Sequence, residues 1–208
     1  MGELFVSNHP LIQHKLSLLR DEKTKSCEFR LLVGELGTLL CYEATRDLEL
    51  KPKEIKTPMA EMTVMEISEK VALIPILRAG LGMVESVLNL IPNSHVYHIG
   101  LYRNEETLEP VEYYNKLSKY EPSNQCLVLD PMLATGGSAI ATIDILKKWG
   151  AKKIKFVGLI GAPEGIKALQ DAHPDVDIHL AAVDDRLNEI GYIVPGLGDA
   201  GDRQFGTL

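Results

Sequence analysis

One stretch, residues 125–142, limits what this chain can fold into more than any other. Residues 126–129 (Cys-Leu-Val-Leu) form a short apolar run, the pattern of a strand buried on both faces. Residues 130–138 are a turn of mostly small residues. From Ser138 the apolar residues fall at helical spacing, with Ile140, Ile143 and Leu146 on one face and Lys147, Lys148 and Gly150 marking the end. A strand, a small-residue turn and a helix start make an anion site, because unpaired backbone N–H groups and the helix dipole both favour negative charge there. Gly136 and Gly137 let the backbone approach a ligand closely, and Thr135 and Ser138 add hydroxyl donors. Asp130 has the wrong charge for a phosphate but accepts hydrogen bonds from sugar hydroxyls. An acid followed at Thr135 by a phosphate cradle therefore measures out a ribose 5-phosphate.

The run Asp130-Pro131-Met132-Leu133-Ala134-Thr135-Gly136-Gly137-Ser138 resembles the phosphoribosyl-diphosphate (PRPP) signature of the type I phosphoribosyltransferases. Most of that superfamily carries a second acid where this chain has Pro131. The variant found here is similar to that of the uracil phosphoribosyltransferase branch. The resemblance implies that residues 130–138 bind PRPP.

Three further stretches bear on the same site. Leu77-Arg78-Ala79-Gly80-Leu81-Gly82-Met83 is a small-residue turn with an arginine fork suited to phosphate. It resembles the family's pyrophosphate loop, which implies that Arg78, Ala79 and Gly80 hold the pyrophosphate. Residues 102–110 (Tyr-Arg-Asn-Glu-Glu-Thr-Leu-Glu-Pro) are a polar stretch after a strand, similar to the family's mobile arm over the pyrophosphate. That likeness places Arg103 on the leaving group. Residues 191–207 are too glycine-rich for a helix or an ordinary strand, yet Tyr192, Ile193, Val194 and Phe205 call for burial. Gly-Leu-Gly-Asp-Ala-Gly-Asp-Arg-x-Phe-Gly-Thr resembles the family's uracil-binding hood. The resemblance implies that Ile193, Gly198 and Ala200 present backbone groups to uracil. It also implies that Asp199 faces PRPP and its magnesium, with PRPP oxygens supplying most of the metal's ligands. Relatives often have His where this chain has Ile190.

Strands are expected at residues 71–76, 96–101, 126–129, 154–160 and 178–183, alternating with helices. This is an α/β pattern with a parallel sheet, and ligands then sit beyond the carboxyl ends of the strands. Arg78, Arg103 and Asp130 each follow such a strand. Before them come two helices, residues 9–20 with Asn8 as N-cap and residues 26–47, where Arg30 and Glu35 lie outside the apolar stripe as solvated charges. Residues 50–69 are extended, interrupted by Pro52 and Pro58. The expected organisation is a single domain of type I phosphoribosyltransferase fold over 1–208. Its parts are N-terminal helices and an arm (1–70), an α/β core (71–183) and a hood over the base (184–208).

The net charge of −7 and pI near 5.4 argue against binding nucleic acid by phosphate neutralisation. Cys27, Cys41 and Cys126 lack metal or redox spacing and read as core thiols of a reducing compartment. No apolar run reaches membrane-spanning length, and the start of the chain lacks a signal-peptide pattern, so a cytoplasmic location is expected. The six histidines show no metal spacing, Trp149 reads as core or interface, and Asp184, Asp185 and Arg186 read as an exposed turn. The family resemblance further implies magnesium as cofactor, assembly as a homo-oligomer and, in parts of the family, activation by GTP. Two alternatives stay open: a PRPP-sensing regulator on the same fold, which the acidic balance disfavours for RNA, and transfer to another nucleobase, which the C-terminal match disfavours.

Overall fold

The computed structural model of the chain describes residues 2–103, 110–117 and 122–207. The chain opens with β1 (Leu4–Val6), α1 (Pro10–Arg20) and α2 (Ser26–Ala44). A hairpin follows, β2 (Leu50–Lys56) and β3 (Glu61–Ile67), and then β4 (Val71–Leu77), α3 (Leu81–Leu90), β5 (His95–Val96), β6 (Ile99–Arg103) and β7 (Pro110–Asn115). The second half runs β8 (Gln125–Leu129), β9 (Met132–Leu133), α4 (Gly137–Trp149), β10 (Lys153–Gly161), α5 (Pro163–Ala172) and β11 (Asp177–Val183). It ends with β12 (Arg186–Leu187), β13 (Ile193–Val194) and α6 (Ala200–Phe205).

The main sheet has the order β1-β11-β10-β8-β4-β6-β7, parallel except for the antiparallel β6–β7 pair. Side chains alternate across it, as the two-residue strand period requires. Val71 and Leu73 of β4, with Leu127 and Leu129 of β8, pack under α1, α2 and α3. Ala72, Ile74, Ile76, Cys126 and Val128 face the other way, toward Ala139, Ile143 and Leu146 of α4 and Ile166 and Leu169 of α5. Both faces are covered, which is why β4 and β8 read as unbroken apolar runs.

Several boundaries differ from expectation, each for a local reason. The N-cap of α1 is His9, not Asn8: Nδ1 of His9 accepts the Leu11 N–H at 3.2 Å, with Pro10 in the first turn. α2 stops at Ala44 rather than residue 47, and the Asp47 carboxylate instead binds Lys155 Nζ at 2.5 Å. The expected strand at 96–101 is split, its first piece pairing with β4 at Ala72 and Leu73 and its second at Ile76 and Leu77. Residues 50–69 are extended as expected and fold back as an antiparallel hairpin. Cys27 is exposed rather than core, while Cys41 and Cys126 are buried thiols whose pKa burial pushes up to about 12. Among the described residues, no helix is long and apolar enough to cross a membrane.

Candidate active site

The cradle lies at the carboxyl end of β8. Gly136 takes φ +84°, a left-handed turn that a side chain would strain, and this turns the chain into α4. The first helical bond runs from the Ile140 N–H to the Gly136 C=O at 2.9 Å, so the three preceding N–H groups point out of the helix. Thr135 and Ser138 are exposed on the same turn, and Asp130, Met132, Leu133, Ala134 and Gly137 complete the wall of a depression of about 80 Å³. Larger depressions, of about 550 and 580 Å³, open beside β1 and beside Lys153. The cradle stands out by its chemistry rather than its size: an acid, two hydroxyls and unpaired N–H groups share one turn.

Asp130 is the electrostatically unusual member. Burial pushes its carboxyl up to about 7; the Met132 N–H it accepts pulls the other way, and the negative charge of Asp199 raises it further. The acid of the hood is thus near enough for its charge to act on the acid of the cradle.

The loop after β4 reaches the same edge. The Leu77–Arg78 peptide is cis, and Arg78 is exposed, its Nη2 donating to Asp202 Oδ1 at 3.0 Å. Gly80 packs so closely on the end of β8 that a Cβ there would lie 2.3 Å from the Leu129 carbonyl oxygen. Ala79 offers its C=O to Gln204 Nε2 at 3.0 Å. Pro131 is buried, its carbonyl accepting the N–H groups of Leu159 and Ile160 on the neighbouring strand, which pins the start of the cradle. Arg103 ends β6, one strand over from β4; its side chain and residues 104–109 lie outside the described residues.

The hood corrects the expectation of an irregular stretch. Ile193 and Val194 pair with Arg186 and Leu187, and residues 200–205 form α6, capped by Asp199 Oδ1 on the Asp202 N–H at 2.8 Å. Ile193 and Ala200 are buried on the face of the sheet where Ala79, Met132 and Ala134 also pack, and Gly198 is an exposed left-handed residue between them. Tyr192 and Phe205, expected inside, are 43% and 39% exposed.

Charged side chains hold the hood down. Asp184, read from sequence as part of an exposed turn, is buried. It takes both arms of the Arg20 guanidinium, one at 2.7 Å, and accepts the Gly196 N–H at 2.8 Å. Arg203 donates to the carbonyls of Leu19, Asp21 and Leu197 and stacks on the Phe29 ring at 4.4 Å. Arg30, expected to be merely solvated, donates to the Gln204 carbonyl at 2.6 Å, and Glu35 accepts from Lys15. Arg20 and Asp184 carry no motif of their own, and the hood motif that contains Arg203 and spans Gln204 names no partner for either. Opposite charges in the first and last segments are a signal too common to pair by sequence.

Magnesium can be tested against the donors present. Among the described residues no three His, Cys, Asp or Glu side chains cluster to cage a metal. Asp130 and Asp199 are the acids at the site, and Asp199 already spends one oxygen on the Asp202 N–H. Such a site fits an ion that arrives on the substrate and takes most of its ligands from phosphate.

A family model for uracil phosphoribosyltransferase matches residues 6–207. The chain belongs to the uracil phosphoribosyltransferase family. The uracil phosphoribosyltransferase of Roseiflexus castenholzii is 61% identical over 207 residues, covering 100% of both chains. That of Geobacillus kaustophilus is 59% identical over 208 residues, again covering 100% of both. Among solved structures, the AQ2163 protein from Aquifex aeolicus is 40% identical with a TM-score of 0.92, over 97% of each chain. A hypoxanthine phosphoribosyltransferase from Staphylococcus aureus, 12% identical, superposes with a TM-score of 0.51 over 87% of this chain and 84% of its own, a likeness of fold alone. The family match and the likeness to the Aquifex aeolicus protein agree with the α/β fold described above.

Proposed function

We propose that these loops divide the work of the family's reaction, transfer of the phosphoribosyl group of PRPP to N1 of uracil with release of pyrophosphate. Residues 130–138 hold the ribose 5-phosphate: N–H groups at the start of α4, with Thr135 and Ser138, take the phosphate, and Asp130 takes the ribose hydroxyls. Arg78, Ala79 and Gly80 hold the pyrophosphate, joined by Arg103. Ile193, Gly198 and Ala200 read uracil through backbone groups. Asp199 faces the PRPP and would hold magnesium together with PRPP oxygens; bound there, the ion neutralises leaving-group charge. The rest is positioning and electrostatic stabilisation as the C1–pyrophosphate bond breaks, the N1–C1 bond forms and the N1 proton of uracil is released, so no covalent nucleophile on the protein is needed.

The observation that supports this reading is convergence. Arg78 meets Asp202 of the hood at 3.0 Å, and the charge of Asp199 is felt at Asp130. Assembly as a homo-oligomer and a cytoplasmic location belong to the same reading. The exposed Met59, Met62, Met65 and Ile67 on the β2–β3 hairpin are what an oligomer would cover.

The test is a base panel: PRPP and magnesium with uracil, cytosine, orotate and hypoxanthine, following pyrophosphate release, with GTP added in a parallel arm. Uracil should turn over, and cytosine should fall by roughly 10⁴-fold in kcat/KM, because fixed backbone groups would face the wrong donor and acceptor at C4 and N3. Comparable kcat/KM for cytosine and uracil would overturn the hood assignment. Higher turnover with GTP is the outcome the family resemblance implies.

A further inference from the structure

The hood and the pyrophosphate loop are joined by contacts that neither substrate makes. α6 carries Asp199 and Ala200 at its start, and its middle and end rest on the loop after β4. Asp202 Oδ1 accepts from Arg78 Nη2 at 3.0 Å and from Thr207 Oγ1 at 2.6 Å. Gln204, fully buried, donates from Nε2 to the carbonyls of Ala79 and Ala200, both at 3.0 Å. The Gln204 side chain lies where a Cβ on Gly82 would be, 1.7 Å from its Oε1. Gln204 and Gly82 therefore fix α6 against the loop as a rigid seat. The Asp202–Arg78 contact is different in kind: it is a charged pair with Arg78 exposed, on the side chain assigned to the pyrophosphate.

We propose that Asp202 is a positioning residue for Arg78, and that through it the pyrophosphate loop and the uracil hood are coupled. This rests on the assignment of Arg78 to the pyrophosphate. A guanidinium has five N–H donors in a planar fork. Asp202 occupies one of them, on Nη2, which fixes the plane of the fork and leaves the other donors for pyrophosphate oxygens. Asp202 is itself held by Thr207, and its N–H is bonded to Asp199. A pyrophosphate that draws on Arg78 thus pulls on a carboxylate two residues from Ala200, and the order it imposes on α6 is passed to the base site. Uracil binding should then be tighter when pyrophosphate is present, and by reciprocity pyrophosphate tighter when uracil is present.

A double-mutant cycle tests this, using the full chain. Steady-state kinetics are measured for wild type, Asp202→Ala, Arg78→Ala and the double variant, with Asp202→Asn run alongside as the isosteric replacement. Melting temperatures are recorded for all five. Asp202→Ala should lower kcat/KM for PRPP roughly tenfold in the wild-type background and less than twofold when Arg78 is already alanine. Calorimetry of uracil with and without magnesium pyrophosphate should show the tightening by pyrophosphate in wild type and its loss in Asp202→Ala and Asp202→Asn. An equal loss in both backgrounds would mark Asp202 as a structural part of α6 and overturn the proposal, as would full activity in Asp202→Ala. If Arg78→Ala alone left kcat and the PRPP KM unchanged, the assignment of Arg78 itself would fall, and the coupling with it.

Discussion

The cradle takes all its groups from one uninterrupted stretch, residues 130–138, whereas the hood, residues 184–207, is held by side chains that arrive from the N-terminal helices. Their charges also differ in what they do for the fold. No cation offsets the charge of Asp130 among the described residues, and burial and the charge of Asp199 hold its carboxyl near 7. Asp184 is buried with a two-armed arginine and a backbone N–H around it, and Arg203 has three carbonyls and an aromatic face. A buried charge with partners is architecture, while a half-buried acid left uncompensated is an acid waiting for a ligand. The contrast separates a carboxylate that has structural partners, Asp184, from one that we propose takes the ribose hydroxyls, Asp130.

The largest way to break the contrast is at Arg20. Arg20→Met leaves Asp184 buried without its cation, and breaking a buried pair costs about 3–5 kcal/mol. Denaturant unfolding should show that loss. Uracil turnover should fall with it, while PRPP binding to folded protein survives, because the cradle shares no partner with Arg20. Loss of less than about 1 kcal/mol would mean that the hood is not held by this pair.

Asp130 should behave in the opposite way. Its folded pKa, about 7, lies above the ordinary 3.8, so ionisation is disfavoured in the fold. Stability is then greatest below pH 4 as far as this group is concerned, and is lost as the pH rises through 7. Asp130→Asn removes that loss. The variant should be more stable than wild type at pH 8 by up to about 4 kcal/mol and equal to it near pH 4, while losing PRPP affinity. Thermal unfolding of both proteins across that range checks the sign, and a variant less stable than wild type at pH 8 would make Asp130 a structural cap.

A smaller effect belongs to Gly136. At φ +84°, with the Gly165 carbonyl 3.0 Å from where a Cβ would sit, Gly136→Ala should cost about 1–2 kcal/mol and tilt the N–H groups of the cradle. Denaturation midpoints measure the cost. No change would place the strain elsewhere.

The same contrast explains what was legible in the sequence. The cradle, the alternating strands and the helices packed on them could be read because neighbouring residues determine them. Periodicity marks Ile143 and Leu146 as the buried face of α4, and they are. The misreadings lie where distant residues decide. α6 is six residues long with Gly201 inside it, too short and too poor in helix formers to stand alone. It exists because Asp199 caps it and because Arg203 and Gln204 are gripped by α1, α2 and the loop after β4. Asp184 looked like turn chemistry because its partner, Arg20, is 164 residues away. Cys27 and Phe205 looked internal by type alone, yet both are exposed in the chain.

The most direct test of the account is PRPP binding to Gly137→Ala. A Cβ there meets only Thr135 Oγ1, at an ordinary 3.8 Å, so the protein itself has room for it and its melting temperature should not change. The space it fills is the mouth of the cradle. Titration calorimetry with magnesium present should show PRPP affinity reduced by roughly tenfold or more, on the order of 1.4 kcal/mol, in a protein of unaltered stability. Wild-type affinity in that variant would mean that the phosphate does not sit at residues 130–138.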